Sequence, residues 1–171
     1  VKHITSETLL LTREILDANC VRHVVDGADT QVRVQLFINN AKDCRISVPA
    51  LLGSVRIEDC SDCKIYLGAC CTSVYMNGVV NCTIFIASHQ LRIHECNGCR
   101  LYVKVKSHPI IEDCVDMGFA PYHYDYEAAA ADTEEAGLAA AHCWDNVVDF
   151  RWHKSTASPH WHKIAECDRV Q

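Results

Sequence analysis

Two short runs of alternating apolar and polar residues recur along the middle of this chain. The first run follows four cysteines that are spaced 19, 19 and 17 residues apart: Cys44, Cys63, Cys82 and Cys99. The second run begins eight residues before each cysteine and reads Leu36-Phe37-Ile38, Val55-Arg56-Ile57, Val74-Tyr75-Met76 and Leu91-Arg92-Ile93. Alternation with a period of two is typical of β-strands, because successive side chains of a strand point to opposite faces. The sequence therefore predicts two strands in every repeat of 17–19 residues.

Repeats of this kind are typical of a parallel β-helix. A single coil cannot bury its apolar face alone, whereas stacked coils form one continuous core and pair their backbones. Helical repeats would need apolar residues at a spacing of 3.6, and the L-x-x-L-x-L pattern of leucine-rich repeats is missing. We predict an all-β fold, a right-handed parallel β-helix of short 17–19-residue coils that spans residues 20–115. Residues 1–19 would cap one end, and Cys20 to Val25 would belong to an earlier, less regular coil.

The C-terminal third, residues 116–171, has a different pattern. The period stops after Cys114, and Gly118 to Tyr122 is interpreted as a turn. Residues 127–142 are rich in alanine and acidic residues, which is compatible with a short helix or a loose loop, and we favour a partly mobile insertion. The aromatic residues that follow are expected to pack an irregular tail over the open coils, or else to leave one or two side chains exposed for a partner: Trp144, Phe150, Trp152 and Trp161.

Composition and charge exclude two classes of protein. The formal net charge of -6 argues against a nucleic-acid-binding protein, because phosphate recognition needs a concentrated basic surface. No apolar run approaches the roughly 20 residues that a membrane-spanning helix needs. The chain opens on Val1 rather than on methionine, which is compatible with a fragment of a longer protein. The length suits one domain with a substantial core.

The twelve cysteines are interpreted through the repeat. The pairs Cys60-x-x-Cys63 and Cys96-x-x-Cys99 resemble two halves of a four-cysteine zinc site. However, the pairs would lie two coils apart, roughly 10 Å, which is too far for four zinc bonds of about 2.3 Å each. We therefore predict reduced, buried thiols, no metal site and a cytoplasmic protein, with zinc and structural disulfides as open alternatives. The predicted inward columns are Cys44, Cys63, Cys82 and Cys99, and separately Cys60, Cys96 and Cys114.

One outward patch of the predicted sheet carries candidate chemistry. With Leu91 and Ile93 facing the core, alternation sends Gln90, Arg92 and His94 outward, about 7 Å between successive members. Stacking of the coils places Tyr75 and Ile110 beside Arg92, and Asn77 and Glu112 beside His94. The result is a set of polar and aromatic side chains on a rigid sheet.

Spacing alone does not assign a function to this patch. From spacing alone, the favoured interpretation of Arg92 is a solvated surface arginine, like Arg56 in the same column. The chain has no P-loop, no dinucleotide-binding glycine motif and no nucleophile-elbow pattern around a serine. We therefore do not expect a self-contained enzyme.

Several ordered motifs resemble the tubulin-binding cofactor C domain, and the likeness covers residues 20–164. They are Ser88-His89-Gln90-Leu91-Arg92-Ile93-His94, Pro109-Ile110-Ile111-Glu112-Asp113-Cys114, Phe119-Ala120-Pro121-Tyr122, Trp144-Asp145-Asn146-Val147-Val148-Asp149-Phe150 and Ala157-Ser158-Pro159-His160-Trp161. The fold of that family is a parallel β-helix, in agreement with the repeat. The alanine-rich segment departs from the pattern expected in the family.

The resemblance implies that Arg92, in an intact Gln-x-Arg motif, acts in trans as an arginine finger on a guanine-nucleotide-binding partner. It implies an adjacent polar contact for Gln90. Glu112 matches the interface glutamate of the family, and Phe150 matches its partner-contacting aromatic residue. With the two neighbours of Arg92 in the outward patch, the predicted partner-binding residues are His94, Glu112, Phe150 and Tyr75.

The family resemblance also implies partners. In the tubulin branch, the domain works with cofactors D and E, and hydrolysis of GTP on β-tubulin releases the assembly-competent heterodimer. This branch implies a GTPase activator that binds no cofactor of its own and is cytoplasmic and cytoskeleton-associated. One alternative is an activator of an Arf-like small GTPase, like the retinitis-pigmentosa protein of the same family. Another is a non-catalytic cytoskeletal binding module, like the related β-helix of cyclase-associated protein.

Overall fold

The computed structural model describes residues 2–4, 22–24 and 34–170. Its strands are Lys2–Ile4 (β1), Arg22–Val24 (β2), Val34–Asn39 (β3), Arg45–Val48 (β4), Leu52–Glu58 (β5), Lys64–Ala69 (β6), Ser73–Asn77 (β7), Thr83–Ser88 (β8), Gln90–His94 (β9), Arg100–Val105 (β10), Ile110–Glu112 (β11), Met117–Pro121 (β12), Val148–Asp149 (β13) and Trp161–Lys163 (β14). One α-helix, Ala129–Glu135 (α1), and one short 3₁₀ helix, Glu166–Asp168, complete the described elements.

Two parallel sheets face each other across the core. Among the described residues, the odd-numbered strands form one sheet of seven, called the odd sheet, and the even-numbered strands form the other, called the even sheet. In the odd sheet, Leu36 lies opposite Val55 and Val74 lies opposite Leu91, which are steps of 19 and 17 residues. All of these pairings are parallel, so each coil contributes one strand to each sheet. The predicted all-β parallel β-helix is confirmed.

The core lies between the sheets and consists of the inward members of each alternating strand. In β9, Leu91 and Ile93 are buried while Gln90 and Arg92 are exposed. Most of the predicted cysteine ladder is buried as well, with Cys44 only partly so, and every described cysteine is a free thiol. Burial raises the pKa of Cys60 to about 12. The Cys60 thiol therefore stays protonated and packs as a small hydrophobic group.

Each coil turns from the odd sheet to the even sheet through a corner that holds two left-handed residues three positions apart. One column of them contains Asn40, Asp59, Gly78, Glu95 and Asp113, and the other contains Asp43, Asp62, Asn81, Gly98 and Asp116. Asn, Asp and Gly tolerate this conformation best. Except at Asp43, where the partly buried Cys44 follows, each left-handed residue is followed by a buried one, as Cys60 follows Asp59. The C-x-x-C spacing is therefore a property of the corner.

Glu95 is the exception among these corner residues, since it holds a φ of 51° without an Asn, Asp or Gly side chain. We expect Glu95→Asn to raise the free energy of unfolding by about 0.5–1 kcal/mol, because the left-handed conformation costs ordinary residues about 1–2 kcal/mol. Urea denaturation measures the change. Asp59→Glu, at the equivalent corner position, should lower stability by a similar amount. A Glu95→Asn chain no more stable than the wild type would contradict the argument.

The parallel stacking continues past Cys114, and the predicted turn from Gly118 to Tyr122 is wrong. Residues Met117–Pro121 form strand β12, which pairs with β10. Gly118 lies opposite Arg100, so that Met117 occupies the position that Cys99 holds in the preceding coil. The repeat does not predict this strand, because a methionine replaces the cysteine and the segment contains a glycine and a proline. Strands β13 and β14 then pair with β11 and β12 after a long excursion of the chain.

At the N-terminal end, the predicted earlier coil is present in part. Strand β2, within the predicted segment from Cys20 to Val25, pairs with β4, and β1 pairs with β3. β1 therefore extends the odd sheet by one strand. The remainder of the predicted cap at 1–19 lies outside the described residues.

The alanine-rich segment packs on the coils, and of the two conformations considered for it the short helix is the one observed. Leu138, after α1, is fully buried. The Tyr126 hydroxyl donates to Asp132 at 2.8 Å and accepts from the backbone N–H of Ala69 at 3.2 Å. The buried cluster that joins the segment to the coils contains Ala69, Cys71, Ala87, Ala136 and Leu138. None of the helices in the described residues is long and apolar enough to cross a bilayer.

Candidate functional site

The outward face of the odd sheet brings the candidate residues together in two neighbouring columns. Tyr75, Arg92 and Ile110 lie side by side on β7, β9 and β11. In a second column, two residues further along each strand, Asn77 lies opposite His94 and His94 lies opposite Glu112. These are the columns that the repeat predicts.

An open cavity of about 440 Å³ lies on this face and is called the groove. It contains five of the six predicted site residues, and Gln90 is exposed at the start of the same strand as Arg92. Phe150 joins the others because β13 pairs with β11 and the Phe150 N–H donates to the carbonyl of Ile111 at 2.9 Å. The lining residues of the groove are Tyr75, Arg92, Ile93, His94, Ile110, Glu112 and Phe150.

Arg92 and Arg56 occupy the same column but differ in their contacts. The Arg56 guanidinium pairs with Glu58 at 2.5 Å and lies 4.8 Å from the centre of the Tyr75 ring. The Arg92 side chain is exposed, and within the described part of the chain its guanidinium makes no hydrogen bond or ion pair. An unpaired guanidinium on a stiff strand can enter a partner without first losing a contact of its own.

Two consecutive carboxylates lie at this face: Glu112, which lines the groove, and Asp113, which follows it in the chain. The Nε2 atom of His94 lies 3.8 Å from a carboxylate oxygen of each, and its Nδ1 lies 3.1 Å from the amide oxygen of Asn77. Sequence reasoning missed Arg151, whose guanidinium lies 3.2 Å from both carboxylates. His94, Glu112 and Asp113 are close enough to one another to ligate a cation, but Arg151 already pairs with both carboxylates.

The aromatic residues of the tail divide between packing and exposure. Trp161 packs on the core and meets Phe119 edge to face, with ring centres 6.0 Å apart, and Trp144 is also packed against the core. Phe150 is 61% exposed, and nearby Val148 is also exposed. The expected packing of the tail is therefore observed for Trp144 and Trp161, and Phe150 is left exposed.

Asp149 anchors the backbone that presents Phe150. Its side chain is only 4% exposed. The hydroxyl of Ser158 and the Nδ1–H of His160 both donate to its Oδ2 at 2.6 Å, and the backbone N–H of Arg151 donates to Oδ1 at 3.1 Å. Burial alone raises the pKa of the Asp149 carboxyl, but the hydrogen bonds from Ser158 and His160 outweigh it and hold the pKa below its ordinary value of 3.8.

This lowered pKa predicts a pH dependence of stability. Because folding favours the Asp149 carboxylate, its contribution is complete above pH 3.8 and is lost as the pH falls through the lower pKa of the folded chain. As the pH is lowered, we expect the free energy of unfolding, measured by urea denaturation, to fall more steeply for the wild type than for Asp149→Asn. Asp116→Asn, at an exposed carboxylate, is the control and should follow the wild type. Parallel acid profiles for Asp149→Asn and the wild type would contradict the assignment.

With this geometry in place, comparison with known proteins identifies the family. A sequence model of the family Tubulin binding cofactor C matches residues 33–150, well over half of the chain. The chain belongs to the tubulin binding cofactor C family. The matched region contains both columns of the groove and Phe150, while Arg151 follows it directly.

Two relatives and one solved structure are similar to this chain. "Tubulin-folding cofactor C" of Arabidopsis thaliana is 34% identical over 79% of this chain, and "Tubulin-specific chaperone C" of Homo sapiens is 31% identical over 89%. The chain spans 34% and 38% of the length of these two relatives. The solved structure of "Tubulin Binding Cofactor C from Leishmania major" matches with a TM-score of 0.62 and 32% identity, covering 69% of this chain and 82% of that one.

Within this tubulin binding cofactor C domain, some site residues can be predicted from the coil period, whereas Arg151 cannot. Arg92, His94, Tyr75 and Glu112 follow from the coil period, because neighbouring coils stack in register. Arg151 reaches Glu112 only because β13 returns to the stack 38 residues after the paired position in β11. A local pattern does not signal a return of that length.

Proposed function

We propose that this chain supplies Arg92 as an arginine finger, in trans, to GTP bound by β-tubulin. It would act in tubulin folding together with cofactors D and E, as a cytoplasmic, cytoskeleton-associated GTPase activator. The names of the relatives, a tubulin-folding cofactor and tubulin-specific chaperones, support tubulin as the partner. The proposal requires no metal or cofactor on this chain.

The observation that carries the proposal is the exposed, unpaired guanidinium of Arg92 on the groove. Hydrolysis of GTP spreads negative charge over the transferring phosphoryl group, and a guanidinium inserted into the partner's site offsets that charge. Arginine suits this role because it donates through a planar fork and keeps its charge. Strands β7 and β11 hold β9 on both sides, so little of the interaction energy is lost in ordering the backbone.

The other groove residues have supporting roles in this proposal. Gln90 offers a polar contact beside Arg92, while His94 and Glu112 meet polar groups around the partner's nucleotide site. Phe150 provides an exposed apolar anchor, since interfaces gain most of their binding energy from a few buried aromatic residues and arginines. Tyr75 lines the groove on the strand next to that of Arg92.

Single-turnover GTP hydrolysis tests the proposal. The wild-type chain should accelerate hydrolysis by tubulin in the presence of cofactors D and E, and Arg92→Ala should not, although it still binds. If the wild type accelerates only an Arf-like small GTPase, the partner is wrong and the finger stands. If wild type and Arg92→Ala act equally, the finger is wrong and a non-catalytic binding module replaces it.

A further inference from the structure

A second arginine, Arg151, pairs with Glu112, one of the residues that line the groove. Its Nε lies 3.2 Å from Oε1 of Glu112, and its Nη2 lies 3.2 Å from Oδ2 of Asp113. One guanidinium therefore bridges the carboxylates of two consecutive residues. The Arg151 side chain is 60% exposed, so its guanidinium is held in place by these two ion pairs and not by burial. Arg151 directly follows Phe150, just after the end of β13.

Without Arg151, Glu112 would have another guanidinium within reach. Ile110 lies opposite Arg92, so Glu112 is the diagonal neighbour of Arg92 across the two strands. One strand spacing of about 4.8 Å and two rises of about 3.3 Å put the two Cα atoms roughly 8 Å apart. Long side chains span that separation, and both residues line the groove. Yet Glu112 pairs with Arg151 and lies near His94, and no described ion pair joins it to Arg92.

We propose that Arg151 is a positioning residue that keeps Arg92 unpaired. By satisfying Glu112 and Asp113, it prevents Glu112 from forming an ion pair with Arg92. Arg92 then enters the partner without breaking that pair. The proposal rests on the proposed function for its kinetic consequence, but the state of Arg92 in the free chain is independent of any partner. Exposed ion pairs are weak, so the expected effects are about two- to fivefold.

The first experiment measures hydrogen exchange of the Arg92 Nε–H by NMR in the chain alone. Arg151→Ala should slow this exchange about two- to fivefold as Glu112 captures Arg92. The double variant Arg151→Ala/Glu112→Gln should return it to the wild-type rate. Arg45→Ala removes an equal charge from the even sheet and should leave it unchanged. An Arg92 signal that does not respond to Arg151→Ala would overturn the proposal.

The second experiment measures stimulated GTP hydrolysis as a double-mutant cycle. Arg151→Ala should lower the rate about two- to fivefold in the wild-type background and have no further effect in the Glu112→Gln background. An equal loss in both backgrounds would mean that Arg151 touches the partner itself, and the proposal would be wrong. If the wild-type chain stimulates no GTPase at all, the proposed function fails, while the exchange measurement still decides the role of Arg151.

Discussion

Arg92→Ala is expected to reduce the stimulated rate of GTP hydrolysis by about 10³–10⁵-fold, which is the usual contribution of an arginine finger. This corresponds to about 4–7 kcal/mol of activation free energy. The loss should appear in the rate at saturating chain concentration, because the guanidinium acts on charge that develops only in the transition state. Fold stability should change little, since Arg92 is exposed and makes no ion pair among the described residues.

Two further variants make this prediction specific. Arg56→Ala removes the same charge from the same column, two coils away, and should keep most of the saturating rate. Arg92→Lys should recover little activity, because an ammonium group lacks the planar fork that donates to two oxygens. A large loss with Arg56→Ala would indicate that net charge on this face, rather than one positioned guanidinium, drives the stimulation.

Leu138→Ala is expected to lower the free energy of unfolding by about 2–5 kcal/mol, the usual range for a buried leucine truncation. Leu138 is fully buried at the junction between the alanine-rich insertion and the coils. Its removal leaves a cavity beside Ala69 and Ala87, whose small side chains cannot expand to fill it. Urea denaturation followed by circular dichroism measures the loss.

The control for this variant is Val115→Ala, which truncates an apolar side chain that is 54% exposed and should change stability by no more than about 0.5 kcal/mol. Hydrogen exchange then distinguishes local from global effects. If the amides of Ala136 and Leu138 alone become faster to exchange, the insertion detaches as a unit and the coils remain intact. A Leu138→Ala chain as stable as the wild type, with unchanged exchange, would contradict the packing described for the insertion.

The period of the sequence was enough to predict the coils and most of the groove. In a parallel β-helix, each strand pairs with the strand one repeat away, so alignment of Val74 with Leu91 also aligns Tyr75 with Arg92. The same alignment places Asn77 and Glu112 on either side of His94. These relations depend only on local alternation and repeat length, which is why sequence reasoning reaches them.

The parts that escaped prediction depend on contacts between distant segments. Gly118 and Pro121 outweigh the alternation in the sequence, which therefore predicts a turn, whereas pairing with β10 makes this segment strand β12. The coil period does not place Phe150 at the predicted site, since β13 is two residues long and has no alternating run of its own. The bridge made by Arg151 depends on where that short strand lands.

The excursion of the chain between β12 and β13 leaves the stack and returns to it, and Ala139 and Ala140 lie exposed on it. Exposed positions of this kind accept foreign sequence readily. A fluorophore attached there, or a short epitope inserted there, would therefore report binding of the partner. The register of β9, which carries Arg92, would be unchanged.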